Sequence, residues 1–152
     1  MEGASEPDEF PPVKVWLLDT GPLVAALNRR DPHHQSCAAA LAAFSGTLVT
    51  TGAVVTEAMH FVGGVPGGAE ALAGLLDDAQ VDIRDCFAPG QLHAAAKLMK
   101  KYADCPMDFA DATLVLLAEE TGFDQILTLD GRGFRTYRFR GTKRFELVPA
   151  ES

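Results

Sequence analysis

The chain has 152 residues, of which 47% are hydrophobic and 22% charged, a balance typical of one soluble globular domain. Every apolar run is shorter than the ~20 residues of a membrane helix, and the acidic start lacks the basic and apolar regions of a secretory signal. We therefore expect a cytoplasmic protein without a membrane segment, and the net charge of −8 at first disfavours a nucleic-acid partner.

The first predicted element is a disordered acidic tail over residues 1–12, which holds four acids and three prolines, followed by a single domain over residues 13–150. Short apolar runs rich in β-forming residues then alternate with segments of helical periodicity. The predicted strands are residues 13–20, 47–51, 81–85, 125–130 and 144–148. The predicted helices are residues 22–28, 31–44, 53–62, 69–79, 91–103 and 108–121. This alternation predicts a three-layer α/β/α sandwich with a mostly parallel, doubly wound sheet of four to five strands.

Four acids fall near strand ends, and in doubly wound sheets the functional site lies beyond the carboxyl ends of the strands. Asp19 ends the first predicted strand and Asp130 the fourth. Glu57 lies in the helix that follows the second strand, and Asp111 lies in the first turn of the helix that precedes the fourth. Because these runs are strongly apolar, a lone carboxylate there is costly unless it is paired, hydrogen-bonded or bound to a metal.

Each acid also has a purely structural interpretation. Asp19 can open a strand-to-helix turn, Glu57 can face solvent, and Asp130 before glycine is a common turn pair. Asp108 and Asp111 are spaced as a helix N-cap and an acid of the first turn. The clustering of the acids at one sheet edge nevertheless favours a shared site. Carboxylates without histidine or cysteine partners suit Mg²⁺ or Mn²⁺, ions that commonly serve phosphoryl chemistry.

The segments LLDTGPLVAAL, VVTEAMH and DFADATLVLLAEETGFDQILTLDGRGF, in this order, resemble the PIN domain family, in particular its VapC-type toxin ribonucleases. The resemblance covers residues 13–148. The family's four acids match Asp19, Glu57, Asp111 and Asp130. Thr20 matches the hydroxyl position after the first acid, whereas Asp108 falls where the family is variable.

The resemblance implies a metal-dependent endoribonuclease that cleaves RNA phosphodiester bonds with a metal-activated water molecule. It assigns Asp19, Glu57, Asp111 and Asp130 as catalytic and metal-binding residues, with Thr20 and Asp108 in support. It also implies Mg²⁺ or Mn²⁺ as the cofactor, RNA as the substrate, a homodimer, and a toxin whose antitoxin partner occludes the site.

Two other functions remain open at this point. A PIN-like module that binds RNA or protein without catalysis would have the same fold. A phosphatase that forms an aspartyl-phosphate would use Asp19 as its nucleophile, although the usual second aspartate two residues later is replaced by Gly21. A signalling receiver would require an acid pair near the first strand, which this sequence lacks.

A basic stretch near the end of the chain leaves one further alternative open. It either holds RNA phosphates, since local charge matters most at physiological salt, or forms a solvated strand edge. We interpret the four histidines as surface residues and the three cysteines, which lack zinc spacing, as free thiols. The basic stretch comprises Arg132, Arg135, Arg138, Arg140, Lys143 and Arg144.

Overall fold

The computed structural model describes residues 13–148, so the predicted acidic tail at residues 1–12 lies outside the described residues. The centre of the domain is a five-stranded sheet in which every neighbouring pair of strands is parallel. Its strands lie in the order β3 (Asp82–Arg84), β2 (Thr47–Thr51), β1 (Val15–Leu18), β4 (Gln125–Leu127) and β7 (Glu146–Val148). The predicted α/β class and the doubly wound parallel sheet are therefore confirmed.

The described part of the chain contains seven helices and seven strands. The strands are β1 (Val15–Leu18), β2 (Thr47–Thr51), β3 (Asp82–Arg84), β4 (Gln125–Leu127), β5 (Arg138–Phe139), β6 (Lys143–Arg144) and β7 (Glu146–Val148). The helices are α1 (Thr20–Leu27), α2 (His34–Ala43), α3 (Gly52–Val62), α4 (Gly68–Asp78), α5 (Gln91–Lys101), α6 (Phe109–Thr121) and α7 (Gly131–Thr136).

The central strand β1 is where the strand order reverses. The chain builds β1, β2 and β3 outward in one direction, then returns to place β4 on the other side of β1. Leu17 accordingly pairs with Val49 of β2 and with Ile126 of β4, and all three side chains are almost completely buried. Such a reversal leaves a crevice at the carboxyl ends of the two central strands, where ligands bind in sheets of this class.

The segment after β4 differs from the prediction. The strand ends at Leu127 rather than at Asp130, and the Asp130-Gly131 pair opens the short helix α7 instead of a simple turn. Two glycines give this segment low helix propensity. Phe134 stabilises α7 nevertheless, because its ring is completely buried and packs edge-on against Tyr137 and Phe145. Tertiary packing has overridden local preference here.

Two helix predictions were wrong in detail. Helix α2 begins at His34 rather than at Asp31, whose carboxylate accepts a hydrogen bond from the His33 amide in a tight turn. The helical periodicity of residues 91–103 predicts that Leu92 and Ala95 share the packed face of α5, but only Ala95 is buried and Leu92 is 55% exposed. Helix α6 matches its prediction, since Asp108 caps its start and Gly122, with φ of 81°, ends it.

The basic stretch divides into two groups. Arg138 donates hydrogen bonds to three backbone carbonyls around the end of α7, and Arg140 donates to two carbonyls at the end of α6. These two side chains therefore stabilise helix ends. The remaining four are exposed: Arg132, Arg135, Lys143 and Arg144.

Two of the cysteines, Cys37 and Cys86, are buried free thiols, as expected, and Cys105 is partly exposed. Burial raises the pKa of both buried thiols, which disfavours the reactive thiolate. Within residues 13–148, no helix is both long enough and apolar enough to cross a bilayer.

Candidate functional site

One cavity of about 520 Å³ brings the sequence-predicted site residues together at the carboxyl ends of β1 and β4. We call it the acid cavity. None of its lining residues, all within the described part of the chain, is a lysine or an arginine. The lining comprises Asp19, Thr20, Gly21, Val24, Asp31, Glu57, Phe61, Asp108, Asp111, Leu129 and Asp130.

Asp19 is held at the end of β1 by neighbours on both sides. Its Oδ1 accepts a hydrogen bond of 2.8 Å from the Thr20 amide as the N-cap of α1, and its Oδ2 accepts one of 2.6 Å from the Thr128 hydroxyl. Burial raises the pKa of Asp19 to about 6. The two hydrogen bonds lower this pKa in part, and the negative charges of Asp108 and Asp130 raise it a little further. The carboxyl group is therefore fixed in position and resists ionisation.

Asp108 and Asp111 form a reciprocal capping box at the start of α6. The Asp111 amide donates to Asp108 Oδ1 at 2.8 Å, and the Asp108 amide donates to Asp111 Oδ2 at 3.1 Å. Burial, together with the charges of Asp19 and Asp108, raises the pKa of Asp111 to about 8. The capping interpretation and the site interpretation are compatible, because both carboxyl groups also line the acid cavity.

Glu57 reaches the acid cavity from the middle of α3. The helix is anchored at its start by Thr51, whose hydroxyl caps Val54 and also contacts the Thr113 hydroxyl of α6 at 2.8 Å. The pKa of Glu57 is raised, mainly by burial and also by the charge of Asp108, and the neighbouring Thr20 hydroxyl opposes this shift. The half-buried position excludes the solvent-facing alternative for this residue.

Asp130 faces the acid cavity from the start of α7, where its Oδ1 accepts a hydrogen bond of 3.0 Å from the Gly133 amide. The Thr128 hydroxyl connects it to Asp19, because it accepts from the Asp130 amide at 2.9 Å while donating to Asp19. Sequence reasoning missed Thr128, although its place two residues before a strand-end acid was an available signal. It also missed Asp31, which lines the cavity from a turn that no sequence pattern connects to the acids.

Gly133 is required at its position because a side chain there would displace Asp130. A Cβ atom would overlap Asp130 Oδ2 and lie 2.9 Å from the Tyr137 hydroxyl, which donates to the Pro106 carbonyl at 2.8 Å. We expect Gly133→Ala to lower the free energy of unfolding by about 1–3 kcal/mol, measured by urea denaturation.

The matched control for this substitution is Gly74→Ala in α4, where nothing lies within 4 Å of the added atom. That change should stabilise the protein by about 0.5–1 kcal/mol, since alanine is the better helix former. Equal stabilisation by both substitutions would show that Asp130 and Tyr137 tolerate the added methyl group.

The residues of the acid cavity suit a divalent cation. All their candidate ligand atoms are oxygens, the donor type that Mg²⁺ and Mn²⁺ prefer. The Thr20 hydroxyl oxygen is buried and makes no hydrogen bond of normal geometry within residues 13–148, although the Glu57 carboxylate lies near it. No three acid, histidine or cysteine side chains of this part of the chain converge closely enough to hold an ion as they stand.

Similarity to known proteins identifies the family of this chain. A profile of the PIN domain matches residues 16–140. The chain belongs to the PIN domain family. It is 31% identical over 135 residues to Ribonuclease VapC26 of Mycobacterium tuberculosis, an alignment that covers 88% of this chain and 99% of the relative.

Two solved structures share the PIN domain fold with this chain. The crystal structure of Mycobacterium tuberculosis VapC20, a Sarcin-Ricin loop cleaving toxin, matches with a TM-score of 0.65 and 18% identity over 78% of this chain and 91% of that one. VapBC2 from Rickettsia felis, bound to a DNA fragment from its promoter, matches with a TM-score of 0.59 and 16% identity over 89% of this chain and 99% of that one.

Proposed function

We propose that this PIN domain protein is a divalent-metal-dependent endoribonuclease that hydrolyses RNA phosphodiester bonds. The observation that carries the proposal is the acid cavity, in which four carboxyl groups from distant parts of the chain line one space. The similarity to Ribonuclease VapC26 over nearly the whole chain supports RNA as the substrate class.

In this proposal Asp19, Glu57, Asp111 and Asp130 hold Mg²⁺ or Mn²⁺, and Thr20 and Asp108 support them. When bound, the cation supplies Lewis-acid chemistry, which activates water and offsets negative charge on the phosphate. Asp19 and Asp111 must lose protons to become ligands, because burial keeps both carboxyl groups partly protonated near neutral pH. The capping hydrogen bond of Asp111 holds one of its carboxyl oxygens and leaves the other free, whereas both oxygens of Asp19 accept hydrogen bonds, from the Thr20 amide and the Thr128 hydroxyl.

The same proposal extends to partners and location. The likeness to VapC toxins and to a VapBC complex supports a toxin role with a cognate antitoxin. A homodimer and a cytoplasmic location are further parts of the proposal. A small DNA-binding protein encoded beside this gene that copurifies with the chain and suppresses RNA cleavage would support the pair. Cleavage that is unaffected by the product of every adjacent gene would contradict it.

The decisive experiment is RNA cleavage by the purified protein with Mg²⁺ or Mn²⁺, with and without EDTA. We expect internal cleavage that EDTA abolishes and added metal restores. Binding of RNA without cleavage would indicate the non-catalytic PIN-like module. Phosphate release from a small phosphoester, with no action on RNA, would indicate the aspartyl-phosphate mechanism.

A further inference from the structure

A second cavity, of about 530 Å³, lies directly beside the acid cavity and is lined by aromatic side chains. We call it the aromatic pocket. It shares Glu57 and Asp108 with the acid cavity, so these two side chains form the wall between the two spaces. Its lining comprises Ala53, Thr56, Glu57, His60, Phe87, Asp108, Phe109 and Ala110.

The aromatic rings of this pocket are arranged to receive a flat ligand. Phe87 and Phe109 lie with ring centroids 6.0 Å apart and planes inclined by 27°, which is an offset, nearly parallel pair. Phe109 is the first residue of α6, directly after Asp108 of the shared wall. Phe87 lies in the segment between β3 and α5 and leaves 60% of its surface exposed. A large apolar ring is thus exposed to solvent beside the proposed reaction site.

We propose that the aromatic pocket binds one unpaired nucleobase of the RNA, next to the phosphate that occupies the acid cavity. This inference rests on the proposed function. Single-stranded RNA is recognised by stacking of its bases on aromatic side chains, and stacking needs no positive charge on the protein. Such a contact is needed here, because the acid cavity presents six carboxyl groups to a polyanion and none of its described lining residues is basic.

The position of the pocket favours a base. It shares Glu57 and Asp108 with the acid cavity, so it adjoins the space proposed for the phosphate, and a base is the flat group of RNA that lies close to each phosphate. His60 stands on the rim, where its ring nitrogens can hydrogen-bond to the edge of a stacked base. Phe87 and Phe109 are therefore substrate-binding residues, and His60 contributes to base preference.

The test combines a protein substitution with a change in the RNA. The cut site is first mapped in a set of single-stranded RNA oligonucleotides, and each flanking nucleotide is then replaced in turn by an abasic residue. We expect Phe87→Ala to lower kcat/KM on intact RNA by about tenfold, and the abasic change on one side of the cut to do the same for the unaltered protein. The two changes together should cost no more than either alone, because each removes the same stacking contact.

Three variants complete the design. Phe87→Tyr keeps the ring face and should retain cleavage. Leu92→Ala removes an equally exposed apolar side chain outside the pocket and should leave kcat/KM unchanged. Melting temperatures should be the same for these two variants and for Phe87→Ala, since the altered side chains are mostly exposed.

Each outcome decides between the two levels of proposal. If the effect of Phe87→Ala multiplies with the effect of an abasic residue on either side of the cut, the two changes remove different contacts. That result would overturn the inference without contradicting the proposed nuclease activity. Loss of a dimer in Phe87→Ala, with unchanged kcat/KM, would instead make the pocket an interface between copies of the chain. Absence of RNA cleavage by the unaltered protein would overturn the proposed function together with this inference.

Discussion

We expect Asp111→Asn to lower RNA cleavage by more than about 100-fold while the protein remains folded. Loss of a group that merely orients a metal ligand already costs about 10–100-fold, and Asp111 is proposed to be a ligand itself. The fold survives because the asparagine carbonyl oxygen can still accept the hydrogen bond from the Asp108 amide that completes the capping box. Initial rates on one RNA with saturating Mn²⁺, with circular dichroism as the check on folding, measure the effect.

Asp104→Asn is the matched control for this substitution. It removes the same charge from an exposed aspartate in the loop before α6, outside the acid cavity. Its rate should equal that of the unaltered protein, which separates loss of the site from loss of net charge. A folded Asp111→Asn protein that cleaves RNA at the normal rate would remove Asp111 from the site.

The metal-free protein becomes less stable relative to Asp111→Asn as the pH rises from about 4 to about 8. The pKa of Asp111 is about 8 in the folded protein and ordinarily 3.8, so between these values the folded state binds a proton that the unfolded state has released. Stability then falls with rising pH, because the unfolded state binds fewer protons. The asparagine side chain of the variant does not titrate, so the difference isolates the carboxyl group of Asp111. Urea denaturation in EDTA at a series of pH values across this range measures it.

Asp19 acts in the same direction over a narrower range, between its ordinary value and a pKa of about 6. The raised pKa of Asp19 lowers the free energy of unfolding at pH 7 by roughly 3 kcal/mol, since one pKa unit corresponds to about 1.4 kcal/mol. Saturating Mn²⁺ at the upper end of the pH range should restore stability to the unaltered protein, by about 2.7 kcal/mol at about 100 times the dissociation constant. If Mn²⁺ raised the free energy of unfolding of Asp111→Asn by the same amount, the cation would bind elsewhere. A free energy of unfolding that does not change with pH would contradict the burial of these carboxyl groups.

The sequence was sufficient for features that depend on local chemistry. Apolar runs of strand length located β1 and β2, and the Asp108 cap with the Gly122 stop defined α6 to within one residue. The clustering of the acids followed from a general property of parallel sheets, because the carboxyl ends of adjacent parallel strands meet at one edge.

Features that depend on distant contacts could not be read from the sequence. Helix α7 contains two glycines and forms through the burial of Phe134 against aromatic rings from later in the chain. The role of Arg140 at the end of α6 requires a contact across 20 residues, so its charge alone suggested a phosphate ligand or a solvated edge. The exposed ring of Phe87 likewise has no sequence signature, because an isolated phenylalanine in a loop ordinarily indicates core.

The hydrogen bonds of Asp19 have a consequence for the protein while it is being made. The Asp19 carboxylate accepts a hydrogen bond from the hydroxyl of Thr128, which is synthesised 109 residues later. The Asp19 amide donates to the carbonyl of Leu127, which also follows late. A nascent chain that ends before Leu127 lacks both partners and also Asp130. A nascent chain of that length therefore carries no assembled acid cavity, and the proposed RNA-cleaving site forms only after residues 127–130 have been synthesised.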